Sequence, residues 1–249
     1  MYYSVFDYNN SDDYFLLIHG LGADESEFFR QVKEFGKFYK VITFDLNGYG
    51  RSVDCKDKPF TIEQCVADIK EFLDFRDIKK VHMLGHSMGG MISIEFASQY
   101  PEYVDKLVLV DTCADIWDNA IGYVMLKPVV MRFKFFADNM NVFRDHKLWE
   151  FVFDLYTRNL TNLNWYKATL LYALSIAKWQ RLGGLCKIRA KTMVVQGKYD
   201  HLIYGKSLDI LLDHIDDVIG VVMTQSEHSP NVVEYKLFND YMLTFLKGR

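Results

Sequence analysis

The chain has 249 residues, half of them hydrophobic, and a formal net charge of −4 at pH 7. This length and composition allow a large buried core and exclude a disordered chain, and the mixed charge excludes a nucleic-acid-binding surface. Four cysteines, Cys55, Cys65, Cys113 and Cys186, are too widely spaced for a Cys-x-x-Cys motif. We therefore expect neither a metal site nor disulfide bonds.

The beginning of the sequence, residues 1–7, lacks the basic segment and apolar run of a secretory signal. No later apolar run is long enough to cross a membrane. We therefore expect a cytoplasmic protein without stable membrane association. One alternative concerns residues 123–136, an apolar and mildly basic stretch that could lie on a membrane surface, although Pro128 interrupts it.

Short apolar runs alternate with helical patterns along most of the chain. This alternation predicts an α/β fold whose central sheet is mostly parallel and is flanked by helices on both faces. Helices are expected at 25–38, from Thr61 onward, after Ser87, at 205–214 and at 231–246. The predicted strands are a weak one at 2–8 and strong ones at 14–18, 40–44, from 81, and at 106–110, 191–197 and 218–223.

Between residues 113 and 184 the strand pattern stops and several helical stretches follow. We expect a helical cap inserted over the carboxyl ends of the strands, with residues 1–112 and 185–249 forming the core domain. Most aromatic side chains of this insertion will pack internally, and those that face the sheet will shape a substrate pocket. The insertion holds all four tryptophans, Trp117, Trp149, Trp165 and Trp179.

The sequence Gly85-His86-Ser87-Met88-Gly89 lies between a buried strand and a helical pattern. A serine at the apex of such a turn is exposed, and the flanking glycines let the strand and the helix approach each other. The free N–H groups at the start of the helix favour negative charge near Ser87. We therefore predict that Ser87 is a nucleophile in a nucleophile elbow rather than part of a plain flexible turn. His86 is expected to face away across the turn and to be structural.

A nucleophilic serine needs a base, and the base needs a polar or anionic partner that fixes its tautomer. Of the seven histidines, His228 alone sits in a loop after the last predicted strand. The order Ser87, Asp200, His228 is the one expected of a catalytic triad in this sheet topology. Asp111 also ends a strand and is an alternative to Asp200, and His201 is an alternative base.

Two glycine-rich loops follow the first two buried strands. The loop at 19–22 can point backbone N–H groups into a site, and with Ser87 nearby we expect the N–H of Leu21 to stabilise an oxyanion. The loop at 45–52 is expected to be architectural, with Asp45 and Ser52 forming hydrogen bonds between side chain and backbone.

Together these segments resemble those of the α/β-hydrolase superfamily, in the branch with a helical cap. The resemblance implies that Ser87 is the nucleophile, His228 the base and Asp200 the acid, and that the N–H groups of Leu21 and Met88 form the oxyanion hole. It implies no metal and no organic cofactor. Related dehalogenases and epoxide hydrolases carry an aspartate at the elbow, so Ser87 argues against both activities. The similarity spans essentially the whole chain and is carried by residues 19–22, 45–52, 85–90, 197–200 and 228.

The resemblance implies a serine esterase of the carboxylesterase type that acts on a small, largely apolar ester or lactone, as a monomer or homodimer. A hydrolase of carbon–carbon bonds in vinylogous diketones is an alternative with the same fold and triad. Such enzymes often carry Trp-Gly-Arg before the acid, whereas this chain has Gln196-Gly197-Lys198. A slow hydrolase that serves as a ligand receptor is the alternative from another class.

Overall fold

A computed structural model describes residues 1–55, 57–115, 159, 162–203 and 206–248. Within these ranges a seven-stranded sheet has the order β1-β3-β2-β4-β5-β6-β7. Only β1 runs antiparallel to its neighbour β3, so the predicted mostly parallel α/β sheet is confirmed. The strands are β1 (Tyr2–Phe6), β2 (Tyr14–Ile18), β3 (Lys40–Asp45), β4 (Val81–His86), β5 (Val104–Val110), β6 (Lys191–Gly197) and β7 (Val218–Met223).

Helices cover both faces of this sheet. None of the helices in the described ranges combines the length and the apolar character that crossing a bilayer requires. The α-helices are α1 (Val32–Phe35), α2 (Ile62–Phe75), α3 (Met88–Gln99), α4 (Leu163–Ile176), α5 (Ser207–His214), α6 (Pro230–Val233) and α7 (Tyr235–Leu246). Short 3-10 helices lie at Glu25–Phe28, Gly50–Ser52, Pro101–Tyr103 and Leu182–Lys187.

Alternate residues of each central strand enter two separate apolar layers. In β2, Leu16 and Ile18 pack with side chains of α2 and α3, whereas Phe15 and Leu17 pack with those of α1 and α7. All four side chains are fully buried. Burial of one such side chain contributes about 1.5–3 kcal/mol, so a strand covered on both faces is strongly fixed in the sheet.

Helix α2 begins directly after Thr61, where the sequence predicts a helix to start. Thr61 has an extended backbone, and its hydroxyl accepts a hydrogen bond from the N–H of Gln64 at 3.2 Å. This bond satisfies one of the N–H groups that the first turn leaves without a helical partner. The helix predicted to begin at Thr61 is confirmed.

The helix predicted at 25–38 is wrong, because two short helices, Glu25–Phe28 and α1, replace it. Between them lies Gln31, whose side chain is fully buried. Its amide donates to the backbone carbonyl of Asn231 at 2.7 Å and to Oδ1 of Asn239 at 3.0 Å. A continuous helix would carry Gln31 past Asn231 and Asn239. The bonds to these distant residues therefore hold the chain in two short helices instead.

The helix predicted at 231–246 is also interrupted, at Glu234, which separates α6 from α7. The carboxylate of Glu234 accepts hydrogen bonds from the N–H of Gln225 at 2.9 Å and the hydroxyl of Ser226 at 2.6 Å. The break therefore ties the helix pair to the loop after β7. The helix predicted at 205–214 begins at Ser207, and residues 204 and 205 lie outside the described ranges.

The last part of the predicted cap contains α4, which packs on the same apolar layer as α2 and α3. Its buried side chains recur at helical spacing, and four of its leucines are exposed, Leu163, Leu170, Leu171 and Leu174. Residues 116–158, with the run at 123–136, lie outside the described ranges, so the division into core and cap stays a prediction. The buried side chains of α4 are Trp165, Ala168, Tyr172 and Ile176.

Candidate active site

Ser87 occupies a strained turn between β4 and α3. Its backbone has φ 53° and ψ −118°, a region that residues with a side chain rarely adopt. The N–H of Ser87 donates to the carbonyl of Val110 at 2.9 Å, and the hydroxyl of Thr112 donates to the carbonyl of Ser87 at 2.8 Å. Hydrogen bonds with Val110, the last residue of β5, and with Thr112 just beyond it therefore hold the strained conformation.

The glycines of the elbow are needed for close approach of strand and helix. A Cβ atom at Gly85 would lie closer than 3.0 Å to the carbonyl oxygen of Gly89, and one at Gly89 would lie equally close to the carbonyl of Ile18. Any side chain at these positions would push α3 away from β2 and β4. The backbone of Ser87 is thus placed by contacts that only glycine permits.

The structure brings the three predicted site residues into one chain of hydrogen bonds. Nε2 of His228 lies 2.9 Å from Oγ of Ser87, and Nδ1 of His228 lies 2.9 Å from Oδ2 of Asp200. Because a carboxylate can only accept, Nδ1 carries the proton and Nε2 is left to accept from the serine hydroxyl. This arrangement can remove the proton of Ser87.

The carboxyl group of Asp200 is buried and ionised. Its Oδ1 accepts hydrogen bonds from the N–H groups of Leu202 at 2.7 Å and Ile203 at 3.0 Å. Burial raises the pKa of Asp200, but the positive charge that His228 can carry and these hydrogen bonds outweigh burial, and the net pKa is lowered. An anion therefore faces Nδ1 of His228 at neutral pH.

Asp111, the alternative acid, has a different environment at the end of β5. Its Oδ1 accepts from the N–H of Gly197 at 2.8 Å, and its backbone has φ 42°. Burial, reinforced by the negative charge of Asp200, raises the pKa of Asp111 well above its usual value. Asp200, not Asp111, bonds to His228, and the alternative base His201 is exposed.

The predicted oxyanion loop at 19–22 is held from two sides. The ring of His19 accepts from the N–H of Leu46 through Nε2 at 3.1 Å, so Nδ1 carries the proton and donates to the carbonyl of Gly20 at 2.8 Å. Trp165 of α4 donates its indole N–H to the carbonyl of Gly22 at 3.1 Å. No described residue accepts a hydrogen bond from the N–H of Leu21 or Met88, and their oxyanion role stays a prediction.

The loop at 45–52 forms the hydrogen bonds expected of an architectural turn. Asp45 accepts from the N–H of Glu25 at 2.9 Å and of Arg51 at 3.0 Å. The hydroxyl of Ser52 accepts from the N–H of Tyr2 at 2.7 Å. These bonds join β1, the loop after β2 and the loop after β3.

Sequence reasoning missed one buried pair beside the site, formed by Glu27 and His86. Nδ1 of His86 lies 2.5 Å from Oε1 of Glu27, and its Nε2 lies 2.6 Å from the backbone carbonyl of His228. The rings of His86 and His228 are 4.9 Å apart between centroids. Glu27 lies in the segment predicted as one amphipathic helix, where no local pattern marks it.

Three side chains at the site could in principle offer ligands to a metal ion. Ligand atoms of His86, Asp111 and His228 lie within 4.8 Å of one another. Both ring nitrogens of each histidine already face protein partners, which leaves only Oδ2 of Asp111 without one among the described residues. This set does not fit a metal ion.

Two open clefts lie elsewhere on the described surface. One, of about 720 Å³, lies between α2 and α4 and is lined by Lys58, Phe60 and Lys178 among others. The other, of about 800 Å³, includes Glu102 and Arg189. Ser87, Asp200 and His228 line neither cleft.

The fold and the elbow are those of the α/β hydrolases. A sequence model of the α/β hydrolase fold family matches residues 13–235, and the chain belongs to this family. The chain is similar to epoxide hydrolase 4 of Mus musculus, with 35% identity over 97 residues, which are 39% of this chain and 27% of that protein. It spans between about a fifth and two-fifths of the length of the first curated relatives it matches.

Solved structures of hydrolases share the fold over nearly the whole chain. The enol-lactonase from Burkholderia xenovorans LB400 has a TM-score of 0.81 and 20% identity, covering 99% of this chain and 96% of that one. The meta-cleavage product hydrolase from Pseudomonas fluorescens IP01 has a TM-score of 0.80 and 19% identity, covering 99% and 93%. These likenesses, at 20% identity and below, show that the fold is shared.

Proposed function

We propose that the protein is a serine hydrolase that cleaves small, largely apolar carboxylic esters or lactones. The observation that carries this proposal is the hydrogen-bonded series from Ser87 through His228 to Asp200, with both distances at 2.9 Å. An activated serine next to free N–H groups is suited to attack on an acyl carbonyl. An enol-lactonase shares the fold, and its name denotes a cyclic ester as substrate, which supports this choice of substrate class.

In the proposed reaction, Nε2 of His228 takes the proton of Ser87 as Oγ attacks the carbonyl carbon. The N–H groups of Leu21 and Met88 donate to the oxyanion that forms. The protonated ring, stabilised by ionised Asp200, then donates its proton to the leaving alkoxide, and the acyl group stays on Ser87.

Hydrolysis of the acyl-enzyme repeats these steps with water. His228 takes a proton from the water molecule as its oxygen attacks the acyl carbonyl, and returns a proton to Oγ of Ser87 as the acid leaves. Only His228 transfers protons in this scheme, whereas Asp200 and the two N–H groups act through charge and hydrogen bonds. Loss of one oxyanion donor in such sites costs about 3 kcal/mol in the transition state.

Labelling with a fluorophosphonate probe tests the activated serine. We expect the wild type to be labelled, and Ser87→Ala and His228→Ala not to be. Ser98→Ala removes another hydroxyl from α3 and should label like the wild type. A series of p-nitrophenyl esters and lactones of increasing chain length then defines the substrate class. Labelling that survives in Ser87→Ala, or ester turnover unchanged by it, would contradict the proposal.

Cleavage of a carbon–carbon bond in a vinylogous diketone is a second candidate, because a meta-cleavage product hydrolase is among the structural neighbours. The same serine and histidine would serve that reaction. Gln196 stands where such enzymes often carry a tryptophan, and its amide donates to the carbonyl of Ile203 at 2.6 Å. Turnover of a ring-cleavage product faster than any ester would favour this candidate. Turnover of neither would favour a ligand receptor.

A further inference from the structure

We infer that Glu27 and His86 form a positioning pair that holds the loop of the catalytic base against the oxyanion loop. This inference rests on the proposed function, since it assigns His228 as the base and Leu21 as an oxyanion donor. Glu27 and His86 touch neither Oγ of Ser87 nor the substrate in this scheme. They act through the backbone of Gly20 and His228.

The hydrogen bonds of His86 fix where its protons lie. A carbonyl oxygen only accepts, so Nε2 of His86 must donate to the carbonyl of His228, 2.6 Å away. A proton must then lie between Nδ1 and Oε1 of Glu27, because an unprotonated nitrogen 2.5 Å from a carboxylate oxygen would be repelled. Neither of these two atoms has another hydrogen-bond partner among the described residues. Each therefore depends on the other.

The second oxygen of Glu27 extends the pair to the oxyanion loop. Oε2 accepts from the N–H of Gly20 at 3.0 Å. Gly20 directly precedes Leu21, and a Cβ atom at Gly20 would lie 3.2 Å from Nδ1 of His86 and 3.3 Å from Cβ of Ser87. A continuous path therefore runs from Gly20 through Glu27 and His86 to the backbone of His228. It joins the segment after β2, the end of β4 and the loop after β7.

The pair is buried, and its electrostatics favour the charged form. Burial alone lowers the pKa of His86, but the negative charge and contact of Glu27, with smaller contributions from Asp111 and the carbonyl of His228, raise it to about 9. Burial raises the pKa of Glu27, and His86, the N–H of Gly20 and nearby His19 together lower it. A carboxylate therefore faces an imidazolium at neutral pH. Breaking a buried pair leaves one group without compensation.

A pair that only stabilised the fold would not need to form a hydrogen bond with the backbone of His228, the proposed base. The carbonyl that His86 holds belongs to His228, so a shift of that carbonyl moves Nε2 relative to Oγ of Ser87. A misplacement of about 1 Å in a reacting group costs about a hundredfold in rate. The expected consequence is a loss in kcat rather than in substrate binding.

Four variants of this pair separate its hydrogen bonds from its charge. Glu27→Gln keeps both bonds, since the amide can donate to Nδ1 and accept from Gly20, but it removes the charge. Glu27→Ala and His86→Ala break the path, and the double variant Glu27→Ala/His86→Ala removes both partners. Matched controls are Glu34→Ala, which breaks a surface ion pair with Lys37, and His214→Ala, which removes an exposed histidine.

We expect kcat on a p-nitrophenyl ester, and the rate of fluorophosphonate labelling, to fall about a hundredfold in both alanine variants, with KM within about threefold. The double variant should be no slower than the single ones, because both lie on one path. Glu27→Gln should recover to within about tenfold of the wild type. In the wild type, deprotonation of His86 should lower kcat near pH 9. Glu27→Gln should not show this decline.

Two results would overturn the inference. One is folded alanine variants that hydrolyse and label at the wild-type rate, even if they unfold more easily. The other is additive losses in the double variant. Circular dichroism and the concentration of denaturant at half-unfolding establish whether each variant is folded under assay conditions.

Failure of the proposed function gives a separate result, namely a wild type that neither labels nor hydrolyses esters. Hydrogen exchange then tests the path directly, because Glu27→Ala should speed exchange of the Gly20 amide and Glu34→Ala should not. In wild-type protein the proton shared by His86 and Glu27 should appear as a downfield NMR signal that Glu27→Ala removes. Unchanged Gly20 exchange and no such signal would overturn the pair whatever the enzyme does.

Discussion

The indole N–H of Trp179 donates to Oε2 of Glu95 at 3.0 Å, on the helix that begins at the elbow serine. Arg181 ion-pairs with both oxygens of the same carboxylate, which is fully buried. Burial raises the pKa of Glu95, but the hydrogen bonds from Arg181, Trp179 and Gln99 outweigh burial and lower it. The segment after α4 is thereby joined to α3 by a buried charge.

Arg181→Ala should lower the free energy of unfolding by about 3 kcal/mol, because it leaves the buried carboxylate without its cation. Adding Glu95→Gln should restore part of that loss, since an amide needs no counter-charge. Urea unfolding followed by tryptophan fluorescence measures both effects. Glu102→Ala, at an exposed site, is the control. Equal stability of Arg181→Ala and the control would show that the ion pair contributes nothing.

Asp200→Asn and Asp111→Asn should differ greatly in activity. Asp200→Asn removes the anion that holds the tautomer of His228, so kcat/KM should fall about 10³–10⁴-fold. Asp111 does not bond to His228, burial beside Asp200 raises the pKa of its carboxyl group, and Asn keeps the acceptor for the N–H of Gly197, so kcat/KM should stay within about threefold. Ester hydrolysis at pH 7 is the measurement. The reverse order would make Asp111 the acid.

The same variant Asp111→Asn should change the pH dependence of stability. Asp111 has a pKa raised in the folded protein from 3.8, so the folded state binds a proton more tightly than the unfolded chain. Asp111 therefore lowers the free energy of unfolding by an increasing amount as pH rises from about 4 towards its raised pKa. Over this pH range, the free energy of unfolding of Asp111→Asn, measured with urea, should rise relative to that of the wild type. A constant difference from pH 4 to pH 7 would contradict the pKa shift.

Gly197→Ala should disturb both fold and site, whereas Gly183→Ala should be tolerated. A Cβ atom at Gly197 would overlap the carbonyl oxygen of Glu227, next to His228. We expect a loss of about 3 kcal/mol in stability and slower hydrolysis. A Cβ atom at Gly183 would meet nothing within 4 Å among the described residues. Thermal unfolding and ester turnover of both variants test the contrast, and equal behaviour would contradict it.

Reaction of the native protein with a thiol reagent should modify Cys55 and Cys186 but spare Cys65 and Cys113. The first two are exposed and the other two are buried. Burial raises the pKa of both Cys65 and Cys113 to about 12, so little thiolate forms at neutral pH. Peptide mapping after brief reaction identifies the modified residues, and denatured protein is the control. Rapid modification of Cys65 would contradict its burial.

The parts of the site that follow local rules could be predicted from sequence. Ser87 is marked by its glycines and by a strand before and a helix after it. His228 and Asp200 are marked by their places after β7 and β6. These features depend on backbone geometry that short sequence patterns encode.

The parts that depend on distant partners could not be predicted. Glu27 pairs with His86, and Gln31 bonds to Asn231 and Asn239, so the helix expected around them is divided. Glu234 divides the last helix for a similar reason, through bonds to the loop after β7. A helical pattern in the sequence contains no information about a buried partner from another element.

The position of His228 after β7 has a consequence for synthesis of the protein. His228 lies 141 residues after Ser87 in the chain, and β7 pairs only with β6 in the described sheet. A nascent polypeptide that extends through β6 and Asp200 contains Ser87 and Asp200 but lacks His228, the base of the proposed mechanism. In that mechanism, proton removal from Ser87 becomes possible only after translation has passed residue 228 and the edge strand has docked.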